Sequence, residues 1–331
     1  MKLSQQELKQ ETDRLYEKLR HNGWRVFDCA RIAPITLEIN ALKKKQNAII
    51  LAHSYQTPDI VYGVADFVGD SYGLSKTASA SKAKKIIFCS VYFMGETAKI
   101  LNPQKEVVVP VVAGCSLADA ITPSQVRALR KKYPGAAVVG YVNTSAAVKA
   151  ECDICCTSSN ALAVIESLPQ AEIIFLPDQL MGRNLQVLTS KKLILWNGDC
   201  VVHKQFGEGL VMRVRAKFPE AKILAHTECD SAVIKWADYA GSTTGMLNYL
   251  KTSPARDIML VTECGLTDRA RVEFPDKNIV GTCNLCAYMK AVKLSDVLRA
   301  LKKPAKKQII KIAPRVLKRA AVALNKMMVV V

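Results

Sequence analysis

The stretch NAIILAHSYQTPDIVYGVADFVGDSYGLS (residues 47–75) reads as a short apolar strand ending in a polar cluster, then a helical segment. A second short strand ends near Ser71, where another helix begins. The same order recurs in AAVVGYVNTSAAVKAECDICCTSSNALAVI (136–165) and AKILAHTECDSAVIKWADYAGSTTGMLNYL (221–250). A third strand and a turn follow each copy, in KKIIFCSVYFMGETA (84–98), AEIIFLPDQLMGRNL (171–185) and RDIMLVTECGLTDRA (256–270). Met94-Gly95 and Met181-Gly182 fall at matching places. Each copy closes on an apolar run and a cysteine: VVVPVVAGCS with Cys115, KLILWNGDC with Cys200, and NIVGTCNLC with Cys286. The spacings between these cysteines are 85 and 86 residues.

Strands alternating with helices predict parallel sheets with helices outside. Three such units predict an α/β fold of three pseudo-threefold-related α/β/α domains, with short parallel sheets around a central active site. The expected divisions are an N-terminal helical segment (1–46), three repeat domains (47–120, 121–205, 206–290) and C-terminal helices closing on the body (291–331). Strand C-termini face the ligand in parallel α/β units. The polar clusters at the strand ends should therefore converge.

The chain has 331 residues, 50% of them hydrophobic and 23% charged, a composition that excludes a disordered protein. No apolar run approaches the ~20 residues of a bilayer span. The first twenty residues are charged and helix-like, unlike a secretory signal, so a cytoplasmic protein is expected. In that setting the eleven cysteines point to metal binding or catalysis, and otherwise to small core residues. Net charge is +18, and half of the excess lies in residues 301–331, with nine Lys or Arg and no acid. This tail permits a nucleic-acid arm. Ile309, Ile312, Val316, Leu317 and Ala320 stand at helical spacing, however, and predict a Pro-started amphipathic helix with a solvated basic face. No aromatic residue interleaves the charges, which weighs against single-strand binding.

The three repeat-related cysteines are distant in sequence, whereas structural zinc usually takes four ligands in close pairs. Three converging thiolates suit a [4Fe–4S] cluster with one open iron. The alternative is three buried cysteines placed alike by repeat ancestry. His53 and Tyr55, Tyr141 and Asn143, and His226 and Glu228 end the first strands of the three repeats. Residues i and i+2 share a side of a strand, so each pair can face the axis. His203 follows Cys200 by three residues and is a further acid–base candidate. GDSYG (69–73), TSSNA (157–161) and GSTTG (241–245) predict helix N-caps that together form an anion site. Cys283 and Cys286 form a Cys-x-x-Cys, which alone suggests a redox pair or half a zinc site.

LAHSYQ, GDS, FMGETAKILNP, AGCSLAD, YVNTSAAVKAECDICCTSSNA, WNGDCVVH, AHTEC, AGSTTGM and CNLCAYM, in this order over about residues 48–290, resemble the quinolinate synthase family of iron–sulfur enzymes. The resemblance implies a triangular three-domain fold with a central cavity. It implies condensation of iminoaspartate with dihydroxyacetone phosphate to quinolinate, phosphate and water in NAD biosynthesis. Cys115, Cys200 and Cys286 would carry the [4Fe–4S] cluster. His53, Ser71, Tyr141, Asn143, Ser158, His226, Glu228, Ser242 and Thr243 match substrate-contacting positions, and Tyr55 and His203 match residues lining the same site. Glu228 is expected as the main acid–base, with Tyr55, His203 and His226 as its catalytic companions. An aspartate-oxidising enzyme is the expected source of iminoaspartate; neither membrane nor nucleic acid is an expected partner. CAYMK resembles the segment after the family's ligand cysteine, which favours Cys286 over Cys283. Cys283 would then be a nearby free thiol, able to pair with Cys286 when the cluster is lost. Ala287, the MKAVKL segment, Thr227 and Cys229 depart from the family's usual residues, but none removes an expected catalytic group. Cys152, Cys155 and Cys156 read as small core residues. Two other enzyme classes with one cysteine per domain, a reductase of isoprenoid diphosphate synthesis and a radical enzyme of diphthamide synthesis, are competing readings, as is an iron–sulfur regulator that binds DNA.

Overall fold

The structure is a computed structural model that describes residues 3–330. Three four-stranded sheets follow one another along the chain, each entirely parallel. The first contains β1 (Ala48–His53), β2 (Phe67–Gly69), β3 (Lys85–Cys89) and β4 (Glu106–Val108). The second contains β5 (Ala137–Tyr141), β6 (Ile154–Cys156), β7 (Glu172–Leu176) and β8 (Lys192–Leu195). The third contains β9 (Lys222–His226), β10 (Tyr239–Gly241), β11 (Asp257–Val261) and β12 (Asn278–Ile279). Spatial order is the same in all three: second, first, third, fourth. The first and third strands are nearly continuous runs of Ile, Val, Leu and Phe, as strands covered on both faces require.

The paired Met-Gly residues have a packing cause. A Cβ on Gly95 would lie 2.6 Å from Val109 Cγ1, and one on Gly182 2.4 Å from Leu195 Cδ2. In both repeats the helix after the third strand therefore crosses the fourth-strand segment without clearance for a side chain. Cys155 and Cys156 lie buried in β6, and Cys152 Sγ would be 2.6 Å from a Cβ on Gly140. Cys155 and Cys156 are core residues, and half-buried Cys152 packs against the same core.

The sheets share cores rather than stacking as separate bodies. Leu51, Phe88 and Met94 of the first unit pack with Leu224, Leu260 and Leu266 of the third. The N-terminal helices Gln5–Leu19 and Val26–Lys45 pack against each other, and the second also against the first sheet. Among the described residues no helix is long and apolar enough to cross a membrane.

The basic tail differs from a helix that takes in Ile309 and Ile312. Residues 306–308 form a single 3₁₀ turn, and Ile309 makes an antiparallel bridge with Val108. Val109 N–H donates to Gln308 O, and Ile310 N–H to Val107 O. This pairing claims the backbone groups that a helix would need, so the helix starts only at Pro314 and runs to Val329. Proline suits that first position because its missing N–H would have no helical partner. Ala320, Ala323, Leu324 and Met327 bury the apolar stripe against the second sheet's core. On the polar face, Arg319 and Arg127 both hold Glu151, at 2.9 Å. Leu324→Ala should therefore destabilise the whole chain by about 2–5 kcal/mol, the range for a truncated core leucine. Urea denaturation checks this, and an unchanged midpoint would make the helix a dispensable arm.

Candidate active site

His53, Tyr141 and His226 are the last residues of β1, β5 and β9, the first strand of each sheet. The chain turns sharply after each, and the residue two places on re-enters the same cavity. In the turns after β1 and β9 the turn is closed by the histidine itself: Tyr55 N–H donates to His53 Nδ1 (3.1 Å) and Glu228 N–H to His226 Nδ1 (3.3 Å). Each Nδ1 is thus an acceptor, which leaves the proton on Nε2. Burial lowers both rings from their ordinary range, His53 to about 4 and His226 to about 3. Both are neutral at physiological pH and can present an Nε2–H donor.

One cavity is lined by His53, Tyr55, Asp70, Ser71, Tyr141, Asn143, Ser158, His203, His226, Glu228 and Thr243, together with Cys115, Cys200 and Cys286. Of the expected site residues only Ser242 is absent from this wall. It caps the helix Thr243–Thr252 by accepting from Gly245 N–H. The Ser/Thr corners are less alike than their sequences suggest. Asp70, not Ser71, caps the helix Ser71–Ala80, and Asn160, not Ser158, occupies the cap before Ala161–Glu166. Ser158 is left in the turn because Asn160 Oδ1 takes Thr157 N–H and Oγ1–H, which closes the turn one step later. Asp70 also draws the corners together, accepting from Thr244 Oγ1 (2.7 Å) and, more distantly, Ser159 Oγ (3.5 Å). Thr243 Oγ1 is buried, faces the cavity wall and has no hydrogen-bond partner among the described residues. Such a group is costly to bury unless a ligand satisfies it.

Glu228 sits at the centre of a buried chain of hydrogen bonds. Tyr141 O–H donates to Oε1 at 2.5 Å, and Asn143 Nδ2 lies 3.4 Å from the same oxygen. His203 Nδ1 is 2.8 Å from Oε2, and His203 Nε2 is 2.9 Å from Thr262 Oγ1. Thr262 Oγ1 is in turn 2.7 Å from Tyr55 O–H. Burial opposes charge on Glu228. The neighbouring His226 and His203, with hydrogen bonds from His203 and Tyr141, nevertheless hold it below the usual carboxylate range. A carboxylate only accepts, so Nδ1 of His203 donates to it. With one proton on the ring, Nε2 then accepts from Thr262, and Thr262 accepts from Tyr55. The result is a directed relay Tyr55–Thr262–His203–Glu228. The His203 and His226 rings stack at 4.5 Å beside it.

Thr262 lies one residue past β11 and was not legible as a site residue. The signal was the repeat itself, since Ser90, Pro177 and Thr262 are aligned after the third strands.

The cysteine loops are fixed alike. Tyr92 N–H donates to Ala113 O (2.8 Å), Gln179 N–H to Gly198 O (2.8 Å) and Cys264 N–H to Asn284 O (3.0 Å). Each donor is the first residue of the helix after a third strand. Each acceptor lies two residues before Cys115, Cys200 or Cys286. By this correspondence Cys286, not Cys283, is the third equivalent cysteine. Cys283 differs from its expected state: it is not a free thiol beside Cys286 but is bonded to Cys264, with Cα atoms 4.9 Å apart. The Cys264–Asn284 backbone bond brings exactly these neighbours together without involving Cys286. Burial pushes the Cys115 thiol up to about 12 and raises Cys200 and Cys286 as well. Binding a metal here would therefore displace protons.

Cys200, His203 and Glu228 also place ligand atoms within 4.8 Å of one another. His203 is a poor ligand in this arrangement, because both ring nitrogens are engaged by Glu228 and Thr262. Cys115, Cys200 and Cys286 line the same cavity, each on an equivalently pinned loop.

The neutral histidines have a stability consequence. Between pH 7 and 5 the unfolded chain protonates His53 and His226, while the folded chain does not. The unfolded state then binds more protons, so stability falls on acidification, by on the order of 2 kcal/mol per histidine at pH 5. Glu228 works below this window, since its unfolded value is near 4.5. Chemical denaturation at the two pH values checks the loss, and His53→Gln should remove about half of the pH dependence.

The model of the family described as "Quinolinate synthetase A protein" matches residues 37–329. A quinolinate synthase of Sinorhizobium fredii is 44% identical over 318 residues, covering 96% of this chain and 88% of its own length. One from Caulobacter vibrioides is 43% identical over 304 residues, covering 89% and 82%, and one from Xylella fastidiosa is 47% identical over 261 residues, covering 78% and 77%. Shared over nearly its whole length with such enzymes, and built on their threefold arrangement of sheets, the chain belongs to the quinolinate synthase family of NAD biosynthesis.

Proposed function

We propose that this cavity condenses iminoaspartate with dihydroxyacetone phosphate to quinolinate, phosphate and water, with a [4Fe–4S] cluster held by Cys115, Cys200 and Cys286. The observation that carries the reading is the convergence of three first-strand ends and three cysteine loops on one cavity wall. Each proposed domain, 47–120, 121–205 and 206–290, supplies one thiolate. Three thiolates fit a cubane cluster with one open iron, which supplies Lewis acidity toward a substrate oxygen.

The chain's own residues supply binding and proton transfer. The substrates bring two carboxylates and a phosphate. The Nε2–H groups of His53 and His226 and the hydroxyls of Ser71, Ser158 and Thr243 are suited to those anions, with Ser242 holding its corner in shape. Asn143 and Tyr141 fix the carboxylate of Glu228. Phosphate loss, isomerisation, ring closure and dehydration each require proton movement. Glu228 is ionised and so acts first as a base. Each hydrogen bond of the relay points toward Glu228, so a proton can pass from Tyr55 through Thr262 and His203 to Glu228 as Glu228 gives its own to a leaving hydroxyl, and Tyr55, which lines the cavity, takes up a proton there. An aspartate-oxidising enzyme in the same compartment, proposed as the cytoplasm, would supply the labile imine.

An anaerobic assay with the two substrates and no added reductant tests the reading: quinolinate should form. Product only with an electron donor would instead favour the reductive or radical enzyme classes. Glu228→Gln keeps the shape and loses the base. Cluster and substrate binding should persist while turnover falls roughly a hundredfold or more, the scale of a lost acid–base group. Parent-like turnover would move the role elsewhere on the relay.

Iron and sulfide analysis separates the two adjacent cysteines. Cys286→Ser should abolish stable cluster binding, whereas Cys283→Ser, assembled under reducing anaerobic conditions, should keep cluster and turnover. The reverse pattern would place the ligand three residues earlier.

A further inference from the structure

The segment after β1 is fastened to the third repeat at several points. Arg269 donates to Ser54 Oγ (2.8 Å), and Gln56 Nε2 donates to Met289 O (2.9 Å). Gly265 lies so close beneath that a Cβ there would be 2.6 Å from Tyr55 Cα. One fastening differs from the rest because it also reaches a cysteine loop. Lys290 Nζ donates to Tyr55 O at 2.6 Å and is paired with Glu263 at 3.1 Å. Glu263, fully buried, accepts from Cys286 N–H at 3.1 Å and from Gly265 N–H at 2.6 Å. Lys290 N–H in turn donates to Cys286 O at 2.9 Å.

No such arrangement serves the other two cysteines among the described residues. Cys115 N–H lies 3.4 Å from Asp119, a carboxylate of its own loop. Asp178, the counterpart of Glu263 in the second repeat, caps its helix through Leu180 and Met181 N–H. Among the described residues, only in the third repeat does an ion pair on a buried carboxylate join a cysteine loop to a residue of the proton relay.

We propose that Glu263 and Lys290 are positioning residues that set Cys286 and Tyr55 together, so that seating of the third thiolate and the pose of the relay tyrosine depend on one link. The proposal rests on the functional reading above, in which Cys286 holds a cluster and Tyr55 ends the relay. The geometry supplies the mechanism. Glu263 fixes the amide of Cys286 from one side, and Lys290 carries the same carboxylate's charge to the carbonyl of Tyr55. A charge-assisted hydrogen bond to that carbonyl is stronger and more directional than a neutral one. Lysine at the first turn after Cys286 can make it only while the cysteine's own backbone is in place.

The test uses the full chain, anaerobically reconstituted with iron and sulfide and kept reduced, so that the Cys264–Cys283 bond does not tie the same segments. Lys290→Met should speed chelator-driven loss of the cluster's visible absorbance at least threefold. It should also lower kcat about tenfold with KM within twofold, because the anion-binding groups are untouched. Lys290→Arg, which keeps the cation and the reach, should restore both readouts to within about threefold of the parent. A merely structural role would not give paired effects on cluster release and kcat that arginine rescues. A folded Lys290→Met protein that alters neither readout, or only one, overturns the proposal. Because Lys290→Met leaves Glu263 unpaired, the double variant Glu263→Gln/Lys290→Met removes both charges and gives the same paired readout if the single variant misfolds. If the parent itself binds no cluster or makes no quinolinate, the functional reading fails and takes this one with it; a working parent with indifferent variants sinks the link alone.

Discussion

Everything in the centre of this molecule hangs on a backbone hydrogen bond made three times. In each repeat, the first amide of the helix after the third strand donates to the carbonyl two residues before a cysteine. An amide at a helix start has no partner within the helix, so it is available for this use. The bond continues the parallel ladder one step beyond the strands, as the bridges Asp178–Gly198 and Glu263–Asn284 show. It converts a loop of variable sequence into a fixed extension of the sheet. Because sheet order is the same in all three units, three loops unlike in sequence deliver their cysteines to one place.

The site's electrostatics follow from burial acting on unlike groups. Histidine is neutral when deprotonated, so burial with little compensation leaves His53 and His226 uncharged. Glu228 meets the same penalty, but a tyrosine hydroxyl, an imidazole N–H and a nearby amide converge on it. Glu228 is thus a stabilised anion beside two neutral donors and an unbroken run of hydroxyl and imidazole groups. Hydroxyls and imidazoles both donate and accept, so each member of this run is satisfied on one side while it donates toward Glu228 on the other.

Much of this was legible because repetition multiplies weak signals. One His-x-Tyr means little, but His53-x-Tyr55 and His226-x-Glu228 at corresponding strand ends point to a shared cavity, and both turns prove to be closed by the same ring nitrogen. The three parallel sheets and the return of one cysteine per repeat to the same cavity were legible for the same reason. What was missed depended on contacts between repeats or on competition for one backbone group. Thr262 matters because it stands between Tyr55 and His203, residues 207 and 59 positions away. Ser158 resembled a cap, but Asn160 closes its turn first. Ile309 and Ile312 kept helical spacing, yet an open strand edge at β4 captured that segment. The partner of Cys283 was decided by the register of Cys264 against Asn284, which no spacing within the loop encodes.

The course of the tail gives the chain an unusual winding. After the third sheet, Val292, Leu294 and Val297 pack into the core of the first, beside Ile50 and Ile87. The chain then runs along β4 and ends in the core of the second sheet. Counted around the pseudo-threefold axis, it visits units one, two, three, one and two, overlapping itself like the turns of a key ring. A ring of three consecutive units has covalent links across two seams only. The overlap carries the backbone across the remaining seam and past it. That seam is thus held twice, by the side chains of the first unit packed on the third and by the backbone of residues 291–313 that crosses it.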